Sequence, residues 1–165
     1  KAVDRERGPV CEASDKIWDQ PETAFQEFHS TDVLCELLEK EGFRVERNLA
    51  GIATAFSGTY GSGKPVVGIL GEFDALSGLS QESESLEKTA LVNGAPGHGC
   101  GHCALGTGAL AAALAVREYL IANKKDGTII YFGCPAEEGA GSKQFMARAG
   151  MFDDVDFVYL SLIHI

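Results

Sequence analysis

The sequence predicts an α/β domain with three layers, α/β/α, around a mainly parallel or mixed sheet. Two short runs, Val66–Leu70 and Thr128–Phe132, are continuously apolar, which is typical of strands buried on both faces of a sheet. Segments with helical spacing alternate with such runs, as in layered α/β folds. A chain of 165 residues, 45% of them hydrophobic, is long enough to bury one core of this kind. No repeat or linker divides the chain, so we expect one domain.

The first third of the chain is predicted to be helical. Val10–Asp19 forms one helix, which ends before Pro21 because the residue preceding a proline avoids the helical region. A second helix is predicted to follow Ser30 as its N-cap and to end near Gly42. Its leucines recur at i, i+3 and i+4, so one face of this helix should be buried.

Strands and helices then alternate to the end of the chain. A polar segment over 77–97 has no periodicity and is expected to be a long surface loop, a type of segment that is often functional. Glycine and proline over 61–65 predict a turn. The remaining predicted elements are strands at 53–60, 66–70, 128–132 and 156–160 and helices at 104–122 and 142–149.

Charge and cysteine content narrow the classes of function. The chain has 24 acidic residues against 14 Lys plus Arg, a formal charge of −10, which disfavours nucleic-acid and membrane-surface partners. The longest apolar stretch, Ala104–Val116, is shorter than the roughly 20 residues that span a bilayer. Five cysteines at irregular spacing and the lack of a cationic, then apolar, leader predict a cytoplasmic location.

Three groups of chemically active residues follow predicted strands or precede a predicted helix. Glu72 and Asp74 come directly after the first apolar run. The segment His98–Cys103 precedes the helix predicted from 104, and Cys134–Gly139 follows the second apolar run. In open α/β sheets, ligands bind at the edge where strands end. We therefore expect the three groups to form one site.

The middle group is the strongest metal-binding signal in the sequence. His98, Cys100, His102 and Cys103 lie within six residues, with glycines between them. Glycine adds no side-chain bulk, so several ligands can converge on one point. Thiolate and imidazole, together with carboxylate, suit zinc, while imidazole and carboxylate also accept manganese or cobalt. Core packing explains this segment poorly, and we predict a metal site.

The adjacent carboxylates Glu137 and Glu138 suggest hydrolytic chemistry. Two such groups repel each other unless a cation lies between them or one is protonated. In a hydrolytic metal site one carboxylate binds metal, and the other carries a proton from water to the leaving amine. Adjacent glutamates are nevertheless more often solvated or in the first turn of a helix. The residues alone leave both interpretations open.

Two other kinds of site would use the same cysteines. Cys100-Gly-His-Cys103 matches the C-x-x-C pattern of thiol-disulfide oxidoreductases, which use a low-pKa thiolate at a helix N-terminus. A closed structural zinc site could use Cys100, His102, Cys103 and Cys134. Both alternatives leave the carboxylates without a role. Cys134 by itself is more typical of a small core residue.

Several segments, in matching order, resemble one enzyme family. They are IWDQPETAFQEFHS at 17–30, GEFDALSGLSQ at 71–81, GHGCGHCALGT at 97–107, YFGCPAEEGAGSK at 131–143 and GMFDDVD at 150–156. The chain is similar over residues 10–160 to the amidohydrolase branch of the aminoacylase/carboxypeptidase G family of metallopeptidases. The resemblance implies a co-catalytic zinc-peptidase-like domain with two divalent metal ions per site. It also implies hydrolysis of a small-molecule amide: an N-acyl amino acid, an aminobenzoyl-glutamate-like compound or a dipeptide.

Matching these motifs residue by residue implies a role for individual side chains. Cys100, His102 and Glu138 would be metal ligands, and Glu137 would be the general base. Asp74 matches the aspartate that supports the metal site within the catalytic centre. These roles come from the resemblance and define the predicted active site.

The surroundings of this predicted site are assigned less directly. Glu72 matches a position that supplies a metal ligand in other branches of the family, and His98 and Cys103 flank the ligand segment. Cys103 stands where the family usually has Asn or Asp, a change that would remove a hydrogen bond near a ligand.

The resemblance also implies a longer protein. Relatives have further metal-binding histidines and a small inserted dimerisation domain downstream. We therefore expect residues 1–160 to be the N-terminal part of the catalytic domain and 161–165 to be foreign to the gene. The isolated segment is expected to bind metal weakly and to be inactive. The parent protein is expected to be a homodimer or a hetero-oligomer.

Overall fold

The helices and strands follow the predicted alternation. The structure, a computed structural model, describes the backbone of residues 2–161 and the side chains of residues 4–161. The helices are α1 (Ala2–Asp19), α2 (Phe28–Lys40), α3 (His102–Asn123) and α4 (Ser142–Arg148), with a short 3-10 turn at Leu49–Gly51. The strands are β1 (Arg44–Arg47), β2 (Phe56–Ser62), β3 (Val66–Glu72), β4 (Gly127–Cys134) and β5 (Phe157–Tyr159).

The strands form one mixed sheet in the order β1-β2-β4-β3-β5. β3 is parallel to both of its neighbours, β4 and β5, whereas β2 is antiparallel to β1 and β4. The register of the central parallel pair places Glu72 beside Cys134. Consequently β3 and β4 end at the same edge of the sheet, and the polar segments that follow them emerge side by side.

Helices cover both faces of the sheet, which confirms the predicted α/β/α layering. On one face, α1, α2 and α3 enclose the larger core, in which Leu38, Leu114 and Tyr131 are fully buried. On the other face, Met146 of α4 packs in a smaller cluster with Phe132 of β4. The apolar runs of β3 and β4 lie between these two cores, as their composition predicts.

The first two helices begin earlier than the sequence indicates. α1 extends back to Ala2 and contains Pro9, and α2 starts at Phe28 with Glu27 as its N-cap. The prediction of Ser30 as the N-cap is wrong, because Glu22 satisfies the free amides of the first turn. Its carboxylate accepts hydrogen bonds from the backbone N–H of His29 and from both the N–H and the hydroxyl of Ser30.

α3 is longer than the apolar stretch in the sequence. Its 22 residues make it the one helix of the described part of the chain that is long and apolar enough to cross a membrane by length and composition. Its buried residues pack against α1 and β3. At the far side of the sheet, β5 is an exposed edge strand. The expectation about residues 161–165 falls almost wholly on 162–165, which lie outside the described residues.

Candidate metal centre

A glycine turn delivers the predicted ligand segment to the sheet edge. Gly101 is the N-cap of α3 and has a φ of +85°, a left-handed conformation that glycine adopts without steric cost. This turn leaves Cys100 exposed in the preceding loop and makes His102 the first residue of the helix. His102 is 1% exposed and lies over the ends of β3 and β4.

Carboxylate oxygens surround the imidazole of His102. Its Nδ1 lies 3.1 Å from Asp74 Oδ1 and 3.2 Å from the Asp74 carbonyl oxygen. Its Nε2 lies 3.3 Å from Glu72 Oε2 and 3.8 Å from Glu137 Oε2. A hydrogen bond from Nδ1–H to Asp74 leaves the lone pair of a neutral ring on Nε2. That arrangement is the usual one for a histidine that binds metal.

Two groups of potential metal ligands share His102. Among the described residues, one group is Cys100, His102 and Glu138, and the other is Glu72, His102 and Glu137; within each group the ligand atoms lie within 4.8 Å of one another. Oε2 of Glu72 and Oε1 of Glu138 are buried and have no hydrogen-bond partner among the described residues. Buried acceptors of this kind are costly unless they are paired or bind a cation. The donor set therefore fits a divalent metal centre.

Asp74 connects the three segments of the site. Its Oδ1 accepts from His102, and its Oδ2 accepts from the backbone N–H of Glu138 at 2.9 Å. Burial raises the pKa of Asp74, but the hydrogen bonds from His102 and Glu138 outweigh it and hold the pKa below its ordinary value. The same pairing raises the pKa of His102, although burial alone would lower it.

Lys143 is a cation of the site to which the sequence motifs gave no role. It lies in the first turn of α4, is 23% exposed, and its Nζ forms an ion pair with Oε1 of Glu72. Glu72 is 1% exposed, so its charge is neutralised inside the protein by Lys143. The signal that could have identified Lys143 is the need of a buried strand-end carboxylate for a counter-charge.

A strained turn presents Glu137 and Glu138. The preceding residue, Ala136, is fully buried and has a φ of +58°. A non-glycine residue in this region costs about 1–2 kcal/mol, so the surrounding structure must stabilise it. One stabilising contact comes from Glu27, whose Oε1 accepts from the Ala136 N–H at 2.8 Å. The Glu137 side chain is 36% exposed, and that of Glu138 is 21% exposed.

The other predicted site residues lie outside the two ligand groups. His98 is buried, its Nε2 lies 3.1 Å from the Ile17 carbonyl oxygen, and its ring stacks on Trp18. Cys103 is buried in the larger core and Cys134 in the smaller one. These positions argue against a zinc site made of four Cys and His ligands.

The cysteine geometry also disfavours the redox alternative. A disulfide oxidoreductase needs an accessible thiol with a lowered pKa. Burial, with Glu138 beside the thiol, instead raises the pKa of Cys100 to about 11. Burial raises the pKa of Cys103 as well. The Cys100-Gly-His-Cys103 segment therefore has the spacing of a redox motif without its electrostatics.

Comparison with known proteins gives consistent relatives. The profile of peptidase family M20/M25/M40 matches residues 69–165. The sequence motifs also resemble those of p-aminobenzoyl-glutamate hydrolase, and this likeness is confirmed: an Escherichia coli K12 protein named as a subunit of that enzyme is 48% identical over 155 residues. The aligned part covers 94% of this chain and 32% of the relative, so the chain spans about a third of the length of this curated relative.

Solved structures with the same fold come from bacteria. A protein of methicillin-resistant Staphylococcus aureus, provisionally assigned as an aminohydrolase, has a TM-score of 0.76 and 28% identity, over 95% of this chain and 39% of its own. A Bacillus subtilis protein described as a dinuclear metal-binding peptidase of the M20 family has a TM-score of 0.71 and 23% identity. That match covers 93% of this chain and 42% of the other. The architecture is therefore one that metal-binding peptidases use.

Proposed function

This chain belongs to peptidase family M20/M25/M40, and from that premise we propose that the protein containing it is a metal-dependent amidohydrolase. Its proposed reaction is hydrolysis of the amide bond of an N-acyl amino acid, an aminobenzoyl-glutamate-like compound or a dipeptide. The relative named for p-aminobenzoyl-glutamate hydrolysis supports the second of these substrate classes.

The arrangement around His102 is the observation that carries this proposal. Thiol, imidazole and carboxylate atoms of Cys100, His102 and Glu138 lie within 4.8 Å of one another. A carboxylate that is not in that group, Glu137, lies beside it and is partly exposed. A hydrolytic metal site needs ligands and a nearby, accessible base, and these residues supply both.

Each residue has a proposed task in the reaction. Cys100, His102 and Glu138 would hold a divalent cation, and Asp74 would keep the Nδ1 proton of His102 in place so that Nε2 stays unprotonated. Divalent cations bound here would polarise the amide carbonyl and activate water for attack. Glu137 would accept a proton from the attacking water and return it to the leaving nitrogen.

Replacement of the proposed base tests this function. In the full-chain protein, Glu137→Gln should lower kcat by about 10²–10⁴-fold, because proton transfer by a positioned carboxylate contributes that much. Metal content should stay unchanged. A suitable control is Glu39→Gln, which alters an exposed carboxylate on α2 and should leave both quantities unchanged. Turnover retained in Glu137→Gln would contradict the assignment of the base.

Further properties of the protein are proposed on weaker support. Zinc, manganese or cobalt would suit the mixed donor set. The 165-residue segment alone is proposed to be inactive, because each ligand group it supplies contains three residues. Five free cysteines support a cytoplasmic location. The Escherichia coli relative is named as one subunit of an enzyme, which supports a homodimer or hetero-oligomer.

A further inference from the structure

Glu27 is a buried carboxylate outside both ligand groups. It is 0% exposed at the N-terminus of α2, and its Oε2 has no hydrogen-bond partner among the described residues. Burial raises its pKa above the ordinary value, against hydrogen bonds that lower it. A buried carboxyl group costs free energy, so a stabilising role for the helix alone explains Glu27 poorly.

The partner of Glu27 lies 109 residues further along the chain. Its Oε1 accepts the backbone N–H of Ala136, the left-handed residue that immediately precedes Glu137. The carbonyl oxygen of Ala136 accepts from the N–H groups of Ala140 and Gly141. The strained residue is thus hydrogen-bonded through both of its backbone polar groups, and Glu27 provides the bond on the N–H side.

A second carboxylate acts in the same way on the other side of Glu137. Asp74 Oδ2 accepts the N–H of Glu138 at 2.9 Å. Glu137 therefore lies between two peptide groups, each held by a carboxylate that is at most 1% exposed. Because the backbone on both sides is held, the direction in which the Glu137 side chain leaves the turn is set by Glu27 and Asp74 together.

The stretch of chain that ends at Glu27 contacts the other two site segments as well. The carbonyl oxygen of Ile17 bonds to His98, beside the Cys100 segment. The carbonyl oxygen of Glu22 accepts the N–H of Ala75, next to Asp74. This contact pattern places the loop between α1 and α2 behind all three segments of the site.

We propose that Glu27 is a positioning residue for Glu137, acting through the Ala136 peptide. This inference rests on the proposed role of Glu137 as the general base. Loss of the Ala136 bond would let the turn relax toward an unstrained conformation and would displace the Glu137 carboxylate. A displacement of about 1 Å at a reacting group can lower a rate by about 100-fold.

The test compares variants of Glu27 in the full-chain protein loaded with Mn²⁺. Glu27→Ala should lower kcat by about 10–100-fold, with KM and metal content unchanged, because the ligands and the substrate-binding groups are not altered. In Glu27→Gln, the amide oxygen can still accept from Ala136, and kcat should recover to near that of the wild type. Hydrogen exchange of the Ala136 amide should accelerate in Glu27→Ala and remain slow in Glu27→Gln.

Thr31→Val is the matched control. Thr31 is buried on the same helix, and its hydroxyl donates to the Thr54 carbonyl oxygen, away from Ala136. This variant should lose a similar amount of stability and keep its kcat. If Glu27→Ala and Thr31→Val have the same kcat per folded molecule, Glu27 is only structural and the inference is overturned.

Two further measurements cover the remaining outcomes. If Glu27→Ala does not fold, Glu27→Asp takes its place, because it keeps the charge but withdraws the acceptor by one methylene; an unchanged kcat in Glu27→Asp overturns the inference. Glu137→Gln is measured in parallel. Retained turnover there contradicts the proposed function, and the inference about Glu27 falls with it, whereas lost turnover there with unchanged kcat in Glu27→Ala contradicts the inference alone.

Discussion

The two carboxylate pairs at the sheet edge have the same charge but different surroundings. Glu72 and Asp74, which follow β3, are each 1% exposed and are bound to protein cations or amides. Glu137 and Glu138, which follow β4, have side chains that are 36% and 21% exposed. The inner pair is held by Lys143, His102 and a backbone amide, whereas the outer pair faces the opening of the site.

This difference separates positioning from chemistry. A carboxylate whose acceptors are already engaged can orient its neighbours, but it is poorly available to a substrate. A partly exposed carboxylate can meet water and ligands, and its direction must then be fixed from behind. In this fold the inner pair and Glu27 orient, and the outer pair remains available for cation binding and proton transfer.

The largest effect is expected where the inner pair loses its counter-charge. Lys143→Met leaves Glu72 buried with its neutralising cation removed, which should lower the free energy of unfolding by about 3 kcal/mol. Urea denaturation in the presence of a chelator measures this change, so that no metal ion replaces the ammonium group. Lys88→Met, in the exposed loop, is the control and should have no effect.

A double variant makes this prediction sharper. Glu72→Gln combined with Lys143→Met removes both charges and should recover most of the lost stability, because a neutral buried pair no longer contains an uncompensated ion. An unfolding free energy in Lys143→Met equal to that of the wild type would show that Glu72 does not depend on Lys143, and the contrast between inner and outer pairs would break.

A smaller effect is expected from Asp74→Asn, at about 2 kcal/mol in metal-free protein, the value of charged hydrogen bonds. The pKa of Asp74 is lowered, so its contribution is present above its unfolded value of about 3.9 and is lost as pH falls through the folded value. The pKa of His102 is raised, so its contribution is present below about 6.5 and is lost as pH rises through the folded value.

The stability difference between wild type and Asp74→Asn should therefore be greatest between about pH 4 and pH 6.5 and should decline on both sides. Chemical denaturation over a pH series measures it. The corresponding outer variant, Glu137→Gln, should show no such maximum. A difference independent of pH would indicate that Asp74 and His102 do not form an ion pair in the folded protein.

The smallest effects extend the contrast to the two cysteines of the ligand segment. Cys103→Ala, in the core, should cost about 1 kcal/mol of stability and leave metal affinity unchanged. Cys100→Ala should change stability by less than about 0.5 kcal/mol and weaken Zn²⁺ binding. Calorimetric titration with Zn²⁺ distinguishes the two. In the wild type, metal should protect Cys100 from a thiol reagent; insulin reduction by the protein would instead support the redox alternative.

Much of the fold could be predicted from local patterns. The continuous apolar runs located β3 and β4, and the end of each run located the carboxylates that follow it. Because parallel neighbours end at one edge, the meeting of Asp74, His102 and Glu138 follows from the topology. The mixed sheet and the helices on both faces agree with the prediction for the same reason.

The supporting contacts could not be predicted in this way. Glu27 and Ala136 are 109 residues apart, and nothing in the local pattern at either position indicates a bond between them. The capping of α2 by Glu22 likewise depends on a loop that folds back over the first turn, so Ser30 was a reasonable but wrong N-cap. Hydrophobic periodicity is a local signal, whereas pairing of buried charges is decided by tertiary structure.

The position of His102 in both ligand groups has a thermodynamic consequence. A neutral imidazole that donates its Nδ1 proton to Asp74 has one lone pair to offer, on Nε2. Two cations cannot both take that lone pair, so occupancy of one group must alter the affinity of the other. Such coupling is reciprocal: whatever factor the first ion imposes on the second, the second imposes on the first. The two groups would then not fill independently, and a single side chain would set the coupling between them.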